Sequence, residues 1–379
     1  MTVVTYAGLA GKMLAPSPAL ATLPISLTIL ATALTTGMIS GFMGRHSRKI
    51  GFFLGIAFGI LGALIAFTAI WVSSFWLLCV GVALIGVFSA SGQYYRFAAV
   101  ESVEDSDGGK AISVVMFGGL IAALFAPTIT SIFMEIFQPN IYMGSFLFIA
   151  FITLCAVLPV SRLAPARLDL CEEFISDESP RPLSIIMRKK AFIAAVLNSA
   201  AGFAIMSFVM SATPLAMEVC GFGPDVSKFV IQGHVIAMFL PSLFTGYLID
   251  RLGVIKILLS GHILFAIALF VAYLDIEVEN FSIALVFLGI GWNFCFIGGT
   301  SLLVRCYRES EKAKVQGLNE TLVYISQGAA SLGAGAVLYY LGWVSIIQIA
   351  IVLLAITSMF TVWYAFSAQR SKYQQRLGN

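Results

Sequence analysis

The chain has 379 residues, of which 59% are hydrophobic and 11% charged, and its formal net charge is +3. A water-soluble domain carries roughly 45–50% apolar and about 25% charged residues. Folded in water, this chain would expose more apolar surface than soluble monomers do, so lipid must be its main solvent, and the small net charge gives no reason to expect a nucleic-acid partner.

A helix needs about 20 apolar residues to cross the hydrocarbon core of a bilayer. In chain order, segments that meet or nearly meet this requirement lie at 20–43, 50–72, 75–97, 111–136, 142–161, 190–213, 228–249, 255–274, 281–304, 318–340 and 343–368. Ahead of them, 2–14 is apolar but short, covering roughly 20 Å as a helix. The pattern predicts an all-α membrane protein with eleven full transmembrane helices and a short first one. Its connections are short except for 162–189, which holds Pro165, Pro180 and Pro182 and mixes Glu172, Glu173, Asp177 and Glu178 with bases. Such a stretch reads as a linker, dividing the chain into bundles at 1–161 and 190–368, with a tail at 369–379.

No cleavable signal peptide is expected, because Lys12 follows the first apolar stretch instead of preceding it. The six cysteines show no metal-binding or redox spacing and read as small apolar fillers. No metal or cofactor is expected.

Orientation follows from Lys and Arg. If the loop after 20–43 is cytoplasmic, the cytoplasmic side takes all of the 22 basic residues except Lys12 and Lys228. That is a strong positive-inside signal, and one miscounted span would destroy it. The linker and the C-terminal tail then lie inside, as in a multi-pass protein of the bacterial inner membrane.

Two basic turns look alike. The first runs Ser40-Gly41-Phe42-Met43-Gly44-Arg45-His46-Ser47-Arg48-Lys49, and the second Gly246-Tyr247-Leu248-Ile249-Asp250-Arg251-Leu252-Gly253-Val254-Ile255-Lys256. They sit half a chain apart, and duplication of a helical unit is a signature of transporters. Gly246, Asp250, Arg251 and Gly253 match the G-x-x-x-D-R-x-G loop motif, and on these residues the chain resembles the major facilitator superfamily (MFS). In the first copy Ser40 and Gly44 stand at the Gly and Asp positions, while Arg45, Arg48 and Lys49 keep the basic part. Tyr95-Arg96-Phe97-Ala98-Ala99, Gln232-Gly233-His234 with Met238 to Gly246, and Gly291-Trp292-Asn293-Phe294 resemble one bacterial branch of that superfamily.

The resemblance implies two pseudo-symmetric six-helix bundles that rock about a central site lined by the first, fourth, seventh and tenth helices. It implies also that the loop motifs act as conformational gates, clasping cytoplasmic helix ends. Asp250 is expected to face the helix start at Gly108-Gly109-Lys110, where a negative charge is favoured by about 0.3–1 kcal/mol. For the degenerate copy two readings stand: Arg45 and Arg48 use Glu320, or these bases only set topology. Met1 to Gly44 is shorter than Lys190 to Asp250 by most of one helix, so the first span is expected to be a stub, or the start site to be assigned late.

Ionisable groups deep in a membrane are functional candidates. His234 is the candidate for a coupling proton, since imidazole titrates near neutrality; a structural hydrogen bond is its alternative. His262 is expected to be structural. Tyr6, Gln93, Tyr94, Asn198, Trp292, Asn293 and Gln327 are the substrate-binding candidates, because amides offer donors and acceptors to a neutral solute and an aromatic ring stacks on a flat one. Each has the competing reading of helix glue or interface anchor, and Arg96 reads as a snorkelling anchor.

A small organic solute and the lipid bilayer are the expected partners, with protons as the coupling ion and the monomer as the working unit. Uptake of a flat vitamin such as riboflavin competes with export of drugs or metabolites. Asp105 and Asp107 form an Asp-x-Asp pair of the kind metal-dependent glycosyltransferases carry, which gives an enzyme reading, but helix capping accounts for them. No Walker loop is present for direct use of ATP.

Overall fold

A computed structural model describes residues 7, 10, 11, 13–16, 20, 23–104, 107–138, 140–163 and 180–377. Among them the regular structure is helical: α1 (Leu23–Arg45), α2 (Arg48–Trp71), α3 (Phe75–Gly92), α4 (Tyr95–Glu101), α5 (Gly108–Ile136), α6 (Ile141–Cys155), α7 (Val157–Ser161), α8 (Leu183–Met187), α9 (Lys190–Val219), α10 (Pro224–Phe239), α11 (Ser242–Leu252), α12 (Val254–Leu274), α13 (Val278–Val304), α14 (Lys312–Leu341) and α15 (Trp343–Leu377). Joined across small breaks, they include 11 helices long and apolar enough to cross a membrane. Side chains such as Leu34, Met38, Val114, Phe270 and Leu332 point outward and exposed, which suits lipid and not water.

Three predicted spans are broken by identifiable chemistry. The span at 228–249 divides into α10 and α11 at Pro241, which has no N–H for the helix ladder. The span at 142–161 divides at Ala156, three residues before Pro159. The span at 75–97 divides after Gly92, where the Tyr94 N–H turns back to the Ser91 carbonyl at 3.1 Å. Elsewhere the ends are capped by side chains: the Ile50 N–H donates to Ser47 Oγ at 3.2 Å at the start of α2.

The chain forms two compact units. One holds Met1–Ser102, Ile121–Glu178 and Lys312–Tyr324; the other holds Val103–Leu120, Ser179–Glu311 and Ile325–Asn379. Each includes the opening turns of one helix from the opposite side of the linker, α14 in the first and α5 in the second.

In the first unit, α1 lies on α3 through a polar ladder. Thr28 Oγ1 donates to the Val82 carbonyl at 3.3 Å and Thr32 Oγ1 to the Gly86 carbonyl at 3.0 Å. Helices α2 and α3 meet at Gly62 and Gly81, where an added Cβ on either would strike the other's carbonyl oxygen. Such contact between small residues drives helix association where lipid removes the hydrophobic driving force. Ala7 and Ala10, from the short N-terminal stretch, are buried with Ala63, Ala66, Leu78 and Phe146, so this stretch packs as part of the bundle.

In the second unit, α13 runs through the centre. It contacts α9, α10 and α12, and the Gly289 and Gly299 positions bring it close to the carbonyls of His234 and Ala195. The Trp292 ring stacks on Phe296 at a 5.1 Å centroid separation and meets Phe203 and Phe239 edge-on.

Candidate functional site

The second basic turn shows why its motif has this spelling. Gly253 ends α11 with φ +90°, a conformation that glycine adopts without steric cost. Gly246 is buried one helix turn before Asp250, and any Cβ there would collide with the Gly109 carbonyl oxygen. The Gly246 N–H donates to Ser113 Oγ at 2.8 Å. This close approach brings Asp250 to the opening turn of α5: a Cβ built on Gly109 would stand 3.2 Å from Asp250 Oδ1. A carboxylate there faces unpaired N–H groups and the positive end of the helix dipole. Arg251 is exposed, its Nη1 donating to Tyr247 Oη at 3.5 Å.

The degenerate turn docks differently. Ser40 Oγ donates to the Ala313 carbonyl at 2.7 Å, and a Cβ on Gly44 would lie 2.6 Å from Ala313 Cβ. With no room for an acid at Gly44, the electrostatics sit one step along. Arg48 pairs with Glu101, its Nε donating to Oε2 at 2.6 Å, and donates from Nη2 to Gln316 Oε1 at 2.7 Å. Lys312 Nζ lies 3.7 Å from Glu101 Oε2. Lys49 Nζ donates to the Ser161 carbonyl at 2.6 Å, and Arg45 is exposed.

Glu320 is not held by Arg45 or Arg48. Its Oε1 accepts from Arg96 Nη2 and, at 2.7 Å, from Asn319 Nδ2, while Oε2 has no hydrogen-bond partner among the described residues. Both side chains are buried, Arg96 at 3% exposure and Glu320 at 0%. Gln93 Oε1 lies 3.4 Å from Arg96 Nη1, and Tyr94 Oη donates to the Thr36 carbonyl at 2.8 Å. The structure thus brings Gln93, Tyr94, Arg96, Glu320 and the Arg48 group into one unit.

The other candidates scatter. Asn198 Nδ2 donates to the Ala194 carbonyl and to Thr361 Oγ1, each at 2.8 Å, and its Oδ1 lies 2.9 Å from His262 Nε2. An amide oxygen only accepts, so His262 carries its proton on Nε2, and Nδ1, 3.1 Å from Ser358 Oγ, accepts. Asn293 bonds Met238, Ser242 and Thr245, each at 2.7 Å. His234 is fully buried, with Nδ1 2.7 Å from the Leu285 carbonyl and Nε2 unpartnered among the described residues. Trp292 is buried with an unpartnered Nε1, and Gln327 is half-buried. Tyr6 and Asp105 lie outside the described residues. Asp107 pairs with Lys110 at 2.7 Å.

Sequence reasoning missed the roles of Glu101, Gln316 and Arg96, and a second clamp in which Arg181 grips Glu311 by a 2.6 Å bond from Nε. The available signal was an acid placed where an apolar helix begins, as at Glu311 and Glu320.

The sequence profile of the Major Facilitator Superfamily matches residues 1–240 and 204–378. The riboflavin transporter RfnT of Brucella anthropi is 38% identical over 344 residues, 91% of this chain and 86% of that protein. The uncharacterised MFS-type transporter YdeG of Bacillus subtilis is 26% identical, covering 95% of this chain and 87% of its own length. In fold, the crystal structure of the MFS transporter FucP in the outward conformation superposes with a TM-score of 0.70 at 15% identity, covering 96% of each chain. This chain is a multi-pass membrane transporter and belongs to the Major Facilitator Superfamily.

Proposed function

We infer that the solute is riboflavin or a molecule with the same flat, neutral, hydrogen-bonding ring system, taken up across the bacterial inner membrane by a proton-driven alternating-access cycle. The observation that carries this reading is the 38% identity to a riboflavin transporter, sustained over 91% of the chain. The chemistry of the side chains supports it. A neutral solute needs amides and aromatic faces, not a buried counter-charge, and Trp292 and Gln327 are of those types. Segments 1–161 and 190–368 act as the two moving halves, the linker 162–189 and the tail 369–379 lie in the cytoplasm, and the protein works as a monomer.

Expression in a riboflavin-requiring bacterium that lacks its own transporter tests the reading. Growth at limiting riboflavin, with saturable uptake of labelled riboflavin, is the expected result. Protein inserted in the membrane without growth or uptake would overturn the solute assignment.

A further inference from the structure

We propose that Glu320, held by Arg96, is the group that takes up and releases the coupled proton, and that protonation opens the contact between α4 and the start of α14. The proposal rests on the proton-driven reading above. Its basis is the arrangement of one buried ion pair with one free oxygen.

A coupling group must accept a proton without disrupting its surroundings in one state, and must exchange it when the surroundings change. Glu320 meets the first condition. Oε1 is committed to Arg96 and Asn319, while Oε2 is fully buried with no partner among the described residues. A proton therefore has a vacant acceptor, and the neutral acid can keep Oε1 as an acceptor for Asn319. The second condition follows from charge. The ionisable groups facing this pair are Arg96 itself and Tyr94 from α4 and its first turn, Tyr324 one turn along α14, and the Arg48–Glu101–Lys312 group beside them. α1 contributes Thr36 and Ser40, which do not titrate. Glu101 already answers Arg48 and Lys312, so it is not free to answer Arg96.

When Glu320 takes a proton on Oε2, the carboxylate charge is lost and Arg96 remains a guanidinium at 3% exposure. A buried charge whose partner has been neutralised is strongly destabilising, and hydration of Arg96 relieves it. Parting of α4 from α14 supplies that water. Once wetted, Glu320 returns to the ordinary acidity of a carboxyl group and gives up its proton. The pair then re-forms.

His234 lacks such a cycle. Its ring donates from Nδ1 to the Leu285 carbonyl, and a proton added to Nε2 would create a buried cation with no acceptor among the described residues.

The test uses full-length protein in proteoliposomes, with labelled riboflavin as the probe and two assays. One imposes an acid exterior and measures accumulation; the other measures riboflavin counterflow with no gradient. Wild type is expected to do both, and E320Q to exchange riboflavin while losing at least about ten-fold in accumulation. Accumulation by E320Q equal to wild type, or its loss in H234Q but not in E320Q, would overturn the proposal. Failure of wild-type counterflow would count against riboflavin, and counterflow without gradient-driven accumulation against proton drive; neither pattern resembles failure of Glu320. A second measurement needs neither solute nor a well-folded variant. Infrared difference spectra of purified wild type between acid and neutral pH should show a protonated-carboxyl stretch, which E320D should shift. A flat carboxyl region in wild type would overturn the proposal on its own.

Discussion

The two basic turns descend from similar sequence and reach similar ends by different physics. At the second, α11 is pressed against the first turns of α5 through Gly246, and one acid, Asp250, faces the helix start. At the first, Ser40 bonds the Ala313 carbonyl, Gly44 leaves no space for an acid, and the charge work passes to Arg48, Glu101 and Gln316. A motif therefore records a steric requirement as well as an electrostatic one. The steric part survives in both copies as a small residue at each contact, while the acid can migrate to a neighbouring helix.

The sharpest break of that comparison is Gly246→Val. The new side chain would have to displace the Gly109 backbone, and overpacking against backbone stands at the upper end of its range, about 3 kcal/mol or more. Loss of folded protein after detergent extraction and loss of uptake are the expected results. Thermal stability within a degree or two of wild type would show that the approach of α11 to α5 is not a structural requirement.

Next in size is Arg48→Ala. Its guanidinium holds Glu101 and Gln316, and Arg48 and Glu101 are exposed at only 11% and 10%. Leaving mostly buried acceptors without their donor costs about 1–3 kcal/mol, reduced where Lys312 can move in from 3.7 Å. A melting curve of the purified variant should show the loss. Lys312→Ala added to Arg48→Ala should deepen it by more than Lys312→Ala costs alone, and strict additivity would deny that the two bases share Glu101.

Gly44→Asp separates sequence logic from structural logic. By the motif, it restores a missing acid and should help by about 0.3–1 kcal/mol at a helix start. By the structure, its Cβ would lie 2.6 Å from Ala313 Cβ, and overpacking costs about 1–3 kcal/mol. The net expected effect is destabilisation of about 1 kcal/mol, relieved by Ala313→Gly in the same chain. A more stable single variant would mean that the degeneracy of the first copy has no steric cause.

What the sequence made legible follows the same division. Span positions and orientation came through because lipid imposes them residue by residue. The breaks at Pro241 and before Pro159 were written in the chain as proline, yet a hydropathy window averages across them. Gly246 and Gly253 were legible because each meets a backbone requirement that few residues satisfy. The partners of Arg96, Arg48 and Asn198 were not. Arg96 and Glu320 are distant in sequence, and only packing brings them together; in sequence, an arginine at a helix end is indistinguishable from a snorkelling anchor. Amides suffered the reverse error. Asn198 and Asn293 have the chemistry of solute ligands, but both are fully buried and spend their hydrogen bonds on neighbouring helices.

The smallest expected effect belongs to Arg45→Ala, and its smallness is informative. Arg45 and Arg48 occupy the same basic turn, carry the same charge and count equally in the positive-inside signal. Arg45 is exposed, whereas Arg48 is held by an acid and an amide. Surface substitutions away from such contacts change stability by less than about 0.5 kcal/mol, so Arg45→Ala should melt and transport like wild type. Reversing its sign is different: Arg45→Glu subtracts two charges from the turn that orients α1 and α2, and reduced membrane insertion is expected without any change in the stability of the inserted fraction. If Arg45→Ala instead matched Arg48→Ala in melting temperature, the first turn would act as one undivided basic patch, and its contrast with the sterically defined second turn would collapse.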